Sequence, residues 1–243
     1  GYAEADPTSD VDGHDAAYKI TILSTLAFQR YVEADSVYCE GITNIDIDDI
    51  NFAAEMGYVI KLLAIAKNSE EGLDIRVHPA FVPKNHSLAN INDTYNCVLL
   101  HGDAVGDVMS TGRGAGQMPT ASAVVADIIQ ISKDINYNNQ EFPKIDSSLQ
   151  SCVINIDEIE NSFYIRLDVN DKPGVMAQIA KVFGDNNVSL ASVLQRQKLN
   201  PVVPLVLITH SVKEKDLYNS LEEIENLEDV IEVSSVIRVE NNL

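Results

Sequence analysis

Apolar residues recur at helical spacing between 16 and 30, where Ile20, Leu23 and Ala27 share a face that Leu26 and Phe28 widen. The pattern predicts a buried helix with Lys19 near its start. Between 46 and 56 the acids Asp46, Asp48 and Asp49 come first and Gly57 follows. That order suits a helix whose N-terminus favours negative charge and whose end is marked by glycine. Residues 58–66 and the alternating run 73–77 flank a turn-rich stretch at 68–72, predicting a strand hairpin. Residues 96–100 and 108–111 predict two more strands, and a helix is expected to open near Pro119 and Thr120. The expected class is α+β: a mixed sheet covered by helices on one face, over residues 1–135.

Residues 136–150 are polar, broken by Pro143 and without periodicity, so they read as a linker. Over 151–243 the pattern predicts a strand to Val169, a turn at Asp171-Lys172-Pro173-Gly174, a helix to Asn186 and strands at 188–198 and 203–210. A helix to Leu227 and a last strand at 229–239 complete the order. This is βαββαβ, a second, ferredoxin-like domain.

With 17 basic against 37 acidic residues the chain carries a formal charge of -20. Such a surface opposes nucleic acid and anionic membranes and suits small cations and zwitterions as guests. No apolar stretch reaches the roughly 20 residues of a membrane span. Cys39, Cys97 and Cys152 lie far apart with no C-x-x-C, so neither a disulfide framework nor a zinc site is expected. A reducing cytoplasm fits that usage. The five histidines are scattered and no bound catalytic metal is expected. The chain opens on Gly1, inside a motif, so further sequence upstream is expected.

The densest chemistry is at the front, where Glu4, Asp6, Asp10, Asp12 and Asp15 surround Lys19. On a helix Asp15 and Lys19 stand four residues apart on one face, which can hold an ammonium beside a carboxylate. The same spacing also describes a surface ion pair at a helix start. Glycines 112, 114 and 116 precede a helix whose amides can face an anion, or they form a plain tight turn. Pro173 and Gly174 turn a strand sharply into a helix whose free amides can meet a carboxylate, and Asn187 after that helix can add a polar contact. The other reading of this domain is dimerisation alone.

The run from Gly1 to Lys19 resembles the substrate-site motif of homoserine dehydrogenases, G-Y-x-E-x-D-P-x-x-D-x-x-G-x-D-x-x-x-K, at every fixed position. The resemblance continues through Glu40-Gly41-Ile42, Gly57-Tyr58-Val59-Ile60-Lys61, His78-Pro79, Leu88-Ala89 and Gly112-Arg113-Gly114-Ala115-Gly116 to Pro119-Thr120-Ala121. Asp171-Lys172-Pro173-Gly174-Val175-Met176 and the Gln178-Ile179-Ala180 that follows resemble the turn of ACT domains, which bind amino acids to regulate biosynthetic enzymes.

The resemblance implies interconversion of L-aspartate 4-semialdehyde and L-homoserine with NADP or NAD, in threonine, methionine and isoleucine synthesis. It implies Lys19 as the acid/base group, and Glu4 and Asp15 as residues that hold the substrate. Asp10 is implied as a partner of Lys19 and Asp6 as a weaker candidate; Gly1, Glu4 and Gly116 are implied near the nicotinamide. In the ACT part it implies an amino-acid effector such as threonine, at Asp171, Pro173, Gly174 and Asn187, and assembly as a dimer or tetramer. The family's N-terminal nucleotide-binding domain has no counterpart in this sequence, so the chain alone is expected to be nearly inactive. The competing expectation is a non-catalytic amino-acid sensor.

Overall fold

The computed structural model describes residues 6–137, 145–150, 153–195, 201–241 and 243. They fall into two compact units, one of Thr8–Pro83 with Ile145–Leu243 and one of Gly1–Pro7 with Lys84–Lys144.

The larger unit opens with α1 (Thr8–Val11) and α2 (His14–Phe28), then β1 (Arg30–Tyr31), β2 (Tyr38–Cys39), α3 (Ile47–Glu55), β3 (Tyr58–Asn68) and β4 (Leu73–Pro83). β3 and β4 pair antiparallel along their whole length, from Tyr58 opposite Pro83 to Asn68 opposite Leu73. The hairpin forms as expected and is longer than the pattern suggested. α2 rests on β4 through Ala17 and Ile20 against Leu73, Ile75 and Val77.

The buried face of α2 differs from the expected one. Ala17, Ile20, Ser24 and Thr25 point inward, while Leu23 and Leu26 are 42% and 48% exposed. The hydroxyls are tolerated indoors because they bond to backbone. Ser24 donates to the Thr21 carbonyl (3.1 Å), and Thr25 accepts from the Val32 amide (3.2 Å). α3 starts with a capping box: Asp46 accepts from the Asp48 amide, and Asp49 reaches back to the Asp46 amide at 3.1 Å.

The smaller unit holds β5 (Tyr95–Gly102), β6 (Gly106–Arg113) and α4 (Gln117–Tyr137). β5 and β6 pair as a two-stranded sheet of their own, not as part of the mixed sheet expected from their sequence. α4 carries Pro119 in its first turn, as expected, and continues to Tyr137 into the predicted linker. Val98, Leu100, Val108, Met109, Ile128 and Ile135 are exposed on these elements. One hairpin and one helix offer too little mutual surface to cover them.

The remainder of the larger unit contains β7 (Asp146–Gln150), β8 (Glu160–Asn170), α5 (Val175–Asp185), β9 (Leu190–Gln195), β10 (Val202–Thr209), β11 (Val212–Lys213), α6 (Glu214–Glu225) and β12 (Val230–Val239). β7 lies within the predicted linker and pairs parallel with β1; residues 138–144 of that linker are outside the described residues. The antiparallel order β12-β8-β10-β9 is that of a ferredoxin-like βαββαβ domain. Phe163, Ile165, Leu167 and Val169 alternate along β8 toward α5 and α6, where Ile179, Phe183 and Leu217 complete the core.

The two sheets expected from the sequence are joined. β12 lies parallel to β4, with Arg238 opposite Ala80 and Val239 opposite Phe81, so β2-β4-β12-β8-β10-β9 runs as one sheet with β3 on β4. α3 covers the second face of β8 and its neighbours, packing Phe52 and Ala53 on Phe81, Tyr164, Val206 and Ile237. β8 is consequently buried on both faces.

Candidate active site and effector turn

Gly13 sets the start of α2. Its φ of 84° is a left-handed conformation that most side chains avoid, and it lets the short α1 turn back into α2. A Cβ at Gly13 would lie 3.2 Å from both Cys39 Sγ and Val77 Cγ1, so the turn is also pressed onto β2 and β4. Asp15 then falls in the first helical turn and Lys19 one turn later. Their side chains form an ion pair at the surface, 44% and 55% exposed. Here the macrodipole favours the carboxylate, and the ammonium remains open to an incoming molecule.

Asp10 is exposed on α1, just before this turn, and its carbonyl accepts from the Gly13 amide at 3.3 Å. The structure thus brings Asp10, Asp15 and Lys19 onto one short stretch, Thr8 to Lys19. Asp6 is exposed and belongs to the smaller unit, as does Gly116. Gly1 and Glu4 lie outside the described residues. Gly116 has φ 126° and its carbonyl accepts from Thr120 at 3.0 Å as α4 begins.

The strand-to-helix turn of the second candidate site is built as expected. The Asp171 amide donates to the Pro201 carbonyl (2.9 Å), and the Asp171 carboxylate accepts from Gln195 (3.3 Å). Gly174 has φ 96° at the N-cap of α5, with open space where a Cβ would stand. Lys172 Nζ lies 2.5 Å from Asp229 Oδ1, which also accepts from Asn170 Nδ2 at 3.1 Å. These two donors, Lys172 first, hold the Asp229 carboxyl below its usual value. Asn187 has φ 60° and follows the far end of α5. Eleven helical residues separate it from Gly174 by about 16 Å, so one chain does not bring the two together.

Two buried ionic clusters were missed by sequence reasoning. In the first, Asp49 of α3 is fully buried and accepts from Tyr164 OH (3.0 Å) and Arg166 Nε (2.8 Å), both on β8. In the second, Arg238 of β12 is 2% exposed and makes two 2.7 Å hydrogen bonds to Glu214, the first residue of α6. Its Nη1 donates to Glu40 Oε2 at 2.6 Å, and its guanidinium lies 4.8 Å from the Tyr38 ring centroid. Burial works against this charge, but the Glu214 hydrogen bonds and carboxylate outweigh it and raise the Arg238 pKa well above its ordinary value.

Arg76 continues this second cluster, donating to Glu240 (2.8 Å), Asn161 (3.2 Å) and His78 Nε2 (3.0 Å), and pairing with Asp74. Because arginine only donates, His78 Nε2 is an acceptor and its proton sits on Nδ1, 3.0 Å from the Pro79 carbonyl. Burial, then the Arg238 charge, push the His78 pKa well below its usual value despite that carbonyl. Of these residues only Glu40 and His78 belong to quoted motifs. Their partners lie more than a hundred residues away in several cases, and spacing carries no trace of them.

A family profile for homoserine dehydrogenase matches residues 1–129 and one for the ACT domain matches residues 163–229. A homoserine dehydrogenase of Synechocystis is 46% identical over 250 residues, covering 98% of this chain and 57% of that protein. The Pseudomonas aeruginosa homoserine dehydrogenase is 38% identical over 247 residues, with 99% and 57% covered. A solved homoserine dehydrogenase from Thiobacillus denitrificans superposes with a TM-score of 0.91 at 36% identity, over 98% of this chain and 55% of that one. The chain thus spans a little over half the length of these relatives. With family profiles matching residues 1–129 and 163–229, close relatives over nearly the whole chain and the βαββαβ domain in its expected strand order, the chain belongs to the homoserine dehydrogenase family and carries an ACT domain in its second half.

Proposed function

We propose that this chain is the substrate-binding and regulatory portion of an enzyme that interconverts L-aspartate 4-semialdehyde and L-homoserine. The observation that carries the reading is the Asp15–Lys19 pair on the first two turns of α2, open to solvent and preceded by Asp10. Asp15 offers a carboxylate for the substrate ammonium, as does Glu4 by resemblance, and Asp10 supports the site as a partner of Lys19. Lys19 presents an ammonium proton to the aldehyde oxygen during reduction and recovers one from the hydroxyl during oxidation. Holding an amino-acid ammonium on carboxylates fixes the carbon that reacts relative to Lys19.

NADP or NAD supplies the hydride acceptor or donor for this chemistry. Among the described residues Gly116 fits a cofactor-facing role, since its φ of 126° exposes backbone where a side chain would be strained. No strand-glycine-helix dinucleotide fingerprint occurs in the sequence. The residues that hold the rest of the dinucleotide are therefore assigned to the part of the relatives that this chain does not match, and Gly1 and Glu4 join Gly116 by resemblance.

The ACT domain is assigned an amino-acid effector such as threonine, met by the free amides after Pro173 and Gly174 and by Asp171. A ligand that also touches Asn187 needs two copies of the domain, because Asn187 lies at the other end of α5; this favours a dimer or tetramer. Among the described residues no helix is long and apolar enough to cross a membrane, and the setting proposed is the cytoplasm.

The test is calorimetric titration of L-homoserine into the chain. Saturable binding that weakens about tenfold or more in Asp15→Asn is expected, the effect of losing one charged hydrogen-bond partner. Binding unchanged by Asp15→Asn would overturn the assignment. Incubated alone with homoserine and NADP, the chain should turn over little or none.

A further inference from the structure

The larger unit ties its last strand to the turn that carries the candidate catalytic lysine through the strand order β12-β4-β2 and, beside it, through a buried arginine. Arg238 uses Nε and Nη2 on Glu214 and has Nη1 directed at Glu40. Tyr38 OH donates to the same Glu40 Oε2 at 3.0 Å, so one carboxylate oxygen gathers two donors. Glu40 is thereby fixed at the end of β2, where its amide also donates to the Val77 carbonyl at 2.8 Å.

The next residue transmits that placement. A Cβ on Gly41 would lie 2.6 Å from Asp12 Cα and against the Val11 carbonyl, which means backbone touches backbone. Ile42 donates to the Val11 carbonyl at 2.9 Å, and Cys39 Sγ is 3.3 Å from the Asp12 carbonyl. Residues 39–42 therefore clasp 11–13, the turn from which α2 projects Asp15 and Lys19. At its other end β12 begins next to Asp229, the residue gripped by Lys172 and Asn170 of the proposed effector turn. Ten strand residues, about 30 Å, separate the two ends.

The geometry points to Arg238 and Glu40 as positioning residues: their ion pair holds the turn that aims α2, and it carries the state of the ACT sheet to that turn. The regulatory half rests on the effector reading given above; the positioning half does not. Among the described residues Arg238 touches no proposed substrate position, and it acts through Glu40 and the 39–42 clasp. The reason to expect transmission is that Arg238, 2% exposed, joins β12 to Glu40 and Glu214 by charge-assisted hydrogen bonds, and that residues 41 and 42 meet 11 and 12 backbone to backbone.

The experiment is residue-resolved amide hydrogen exchange on the intact chain, wild type and Glu40→Gln, with and without saturating L-threonine, beside calorimetry of threonine binding. Glu40 is the variant of choice because it is partly exposed, whereas replacing Arg238 strands a buried Glu214 and endangers folding. In Glu40→Gln the amides of Ile42 and Ala17 should exchange about tenfold faster or more, while those of Leu205 and Leu207 in β10 hold their rates. In wild type, threonine should change the Ile42 and Ala17 rates; in Glu40→Gln it should bind equally well and leave them unmoved.

Rates at Ile42 and Ala17 within twofold of wild type in Glu40→Gln, or acceleration of all amides together, would overturn the positioning role. Threonine that binds wild type and leaves Ile42 and Ala17 untouched would overturn the transmission. Absence of threonine binding to wild type would instead refute the effector reading, with the positioning role still decided by the variant alone.

Discussion

Asp49 provides a stringent test of how α3 is fastened to the ACT sheet. It is fully buried, completes the capping box of α3, and accepts from Tyr164 OH and Arg166 Nε at 3.0 and 2.8 Å. Arg166 is itself buried, with a side chain 8% exposed. Asp49→Ala strands that guanidinium without its counter-charge, a change worth about 3–5 kcal/mol, and removes a cap worth about 1 kcal/mol. Asp49→Asn keeps the volume and one acceptor but gives up the charge, for about 1.5–3 kcal/mol. Tyr164→Phe removes a single donor from a carboxylate that keeps its arginine, about 1 kcal/mol. Against a total stability of about 5–15 kcal/mol, the first change threatens folding and the second does not. Urea denaturation followed by circular dichroism should give midpoints in the order wild type, Tyr164→Phe, Asp49→Asn, Asp49→Ala. With a urea slope of about 1–3 kcal/mol per M, Asp49→Asn should lower the midpoint by about 1 M. A midpoint for Asp49→Asn equal to wild type, or Tyr164→Phe as the more damaging change, would refute the claim that this buried pair fastens α3 to β8.

Gly41→Ala inserts a methyl against the backbone of Val11 and Asp12, so neither side can yield by rotating a side chain. It should cost about 1–3 kcal/mol by overpacking and weaken homoserine binding, as thermal melts and calorimetry will register. His78 should make stability sensitive to acid: its folded pKa is depressed by burial and the nearby arginines, so the unfolded chain takes up the proton first. Its contribution is complete above a pH of about 6.5 and is lost as pH falls below it, by about 1.4 kcal/mol per pH unit until the folded pKa is reached. Urea titrations at pH 5 and pH 7 should give a smaller difference for His78→Gln than for wild type; equal differences would contradict the account.

Hairpin β3–β4, helices α2, α3 and α4, and the βαββαβ order could be read from period and punctuation, because each is a local pattern repeated over enough residues to register. What escaped the sequence was the far side of those patterns. On β8 the residues between Phe163, Ile165 and Leu167 include Tyr164 and Arg166, whose alternation gives no sign that α3 seals them. Ser24 and Thr25 face inward on α2 where periodicity favours Leu23 and Leu26, since hydropathy ignores hydroxyls that bond to backbone. β12 beside β4 is a pairing between strands about 160 residues apart, which no local signal encodes. At the candidate site the Asp15–Lys19 pair followed from spacing, and the glutamate behind it was present in a quoted motif. Its arginine came from the opposite end of the chain.

The most direct measurement is the rate of NADP-linked homoserine oxidation by this chain joined to a nucleotide-binding domain, compared between wild type and Lys19→Ala. If Lys19 moves the substrate proton, kcat should fall by about 10²–10⁴-fold while homoserine still binds. A kcat for Lys19→Ala equal to wild type would contradict the central claim that this lysine, presented by the second turn of α2, carries the chemistry.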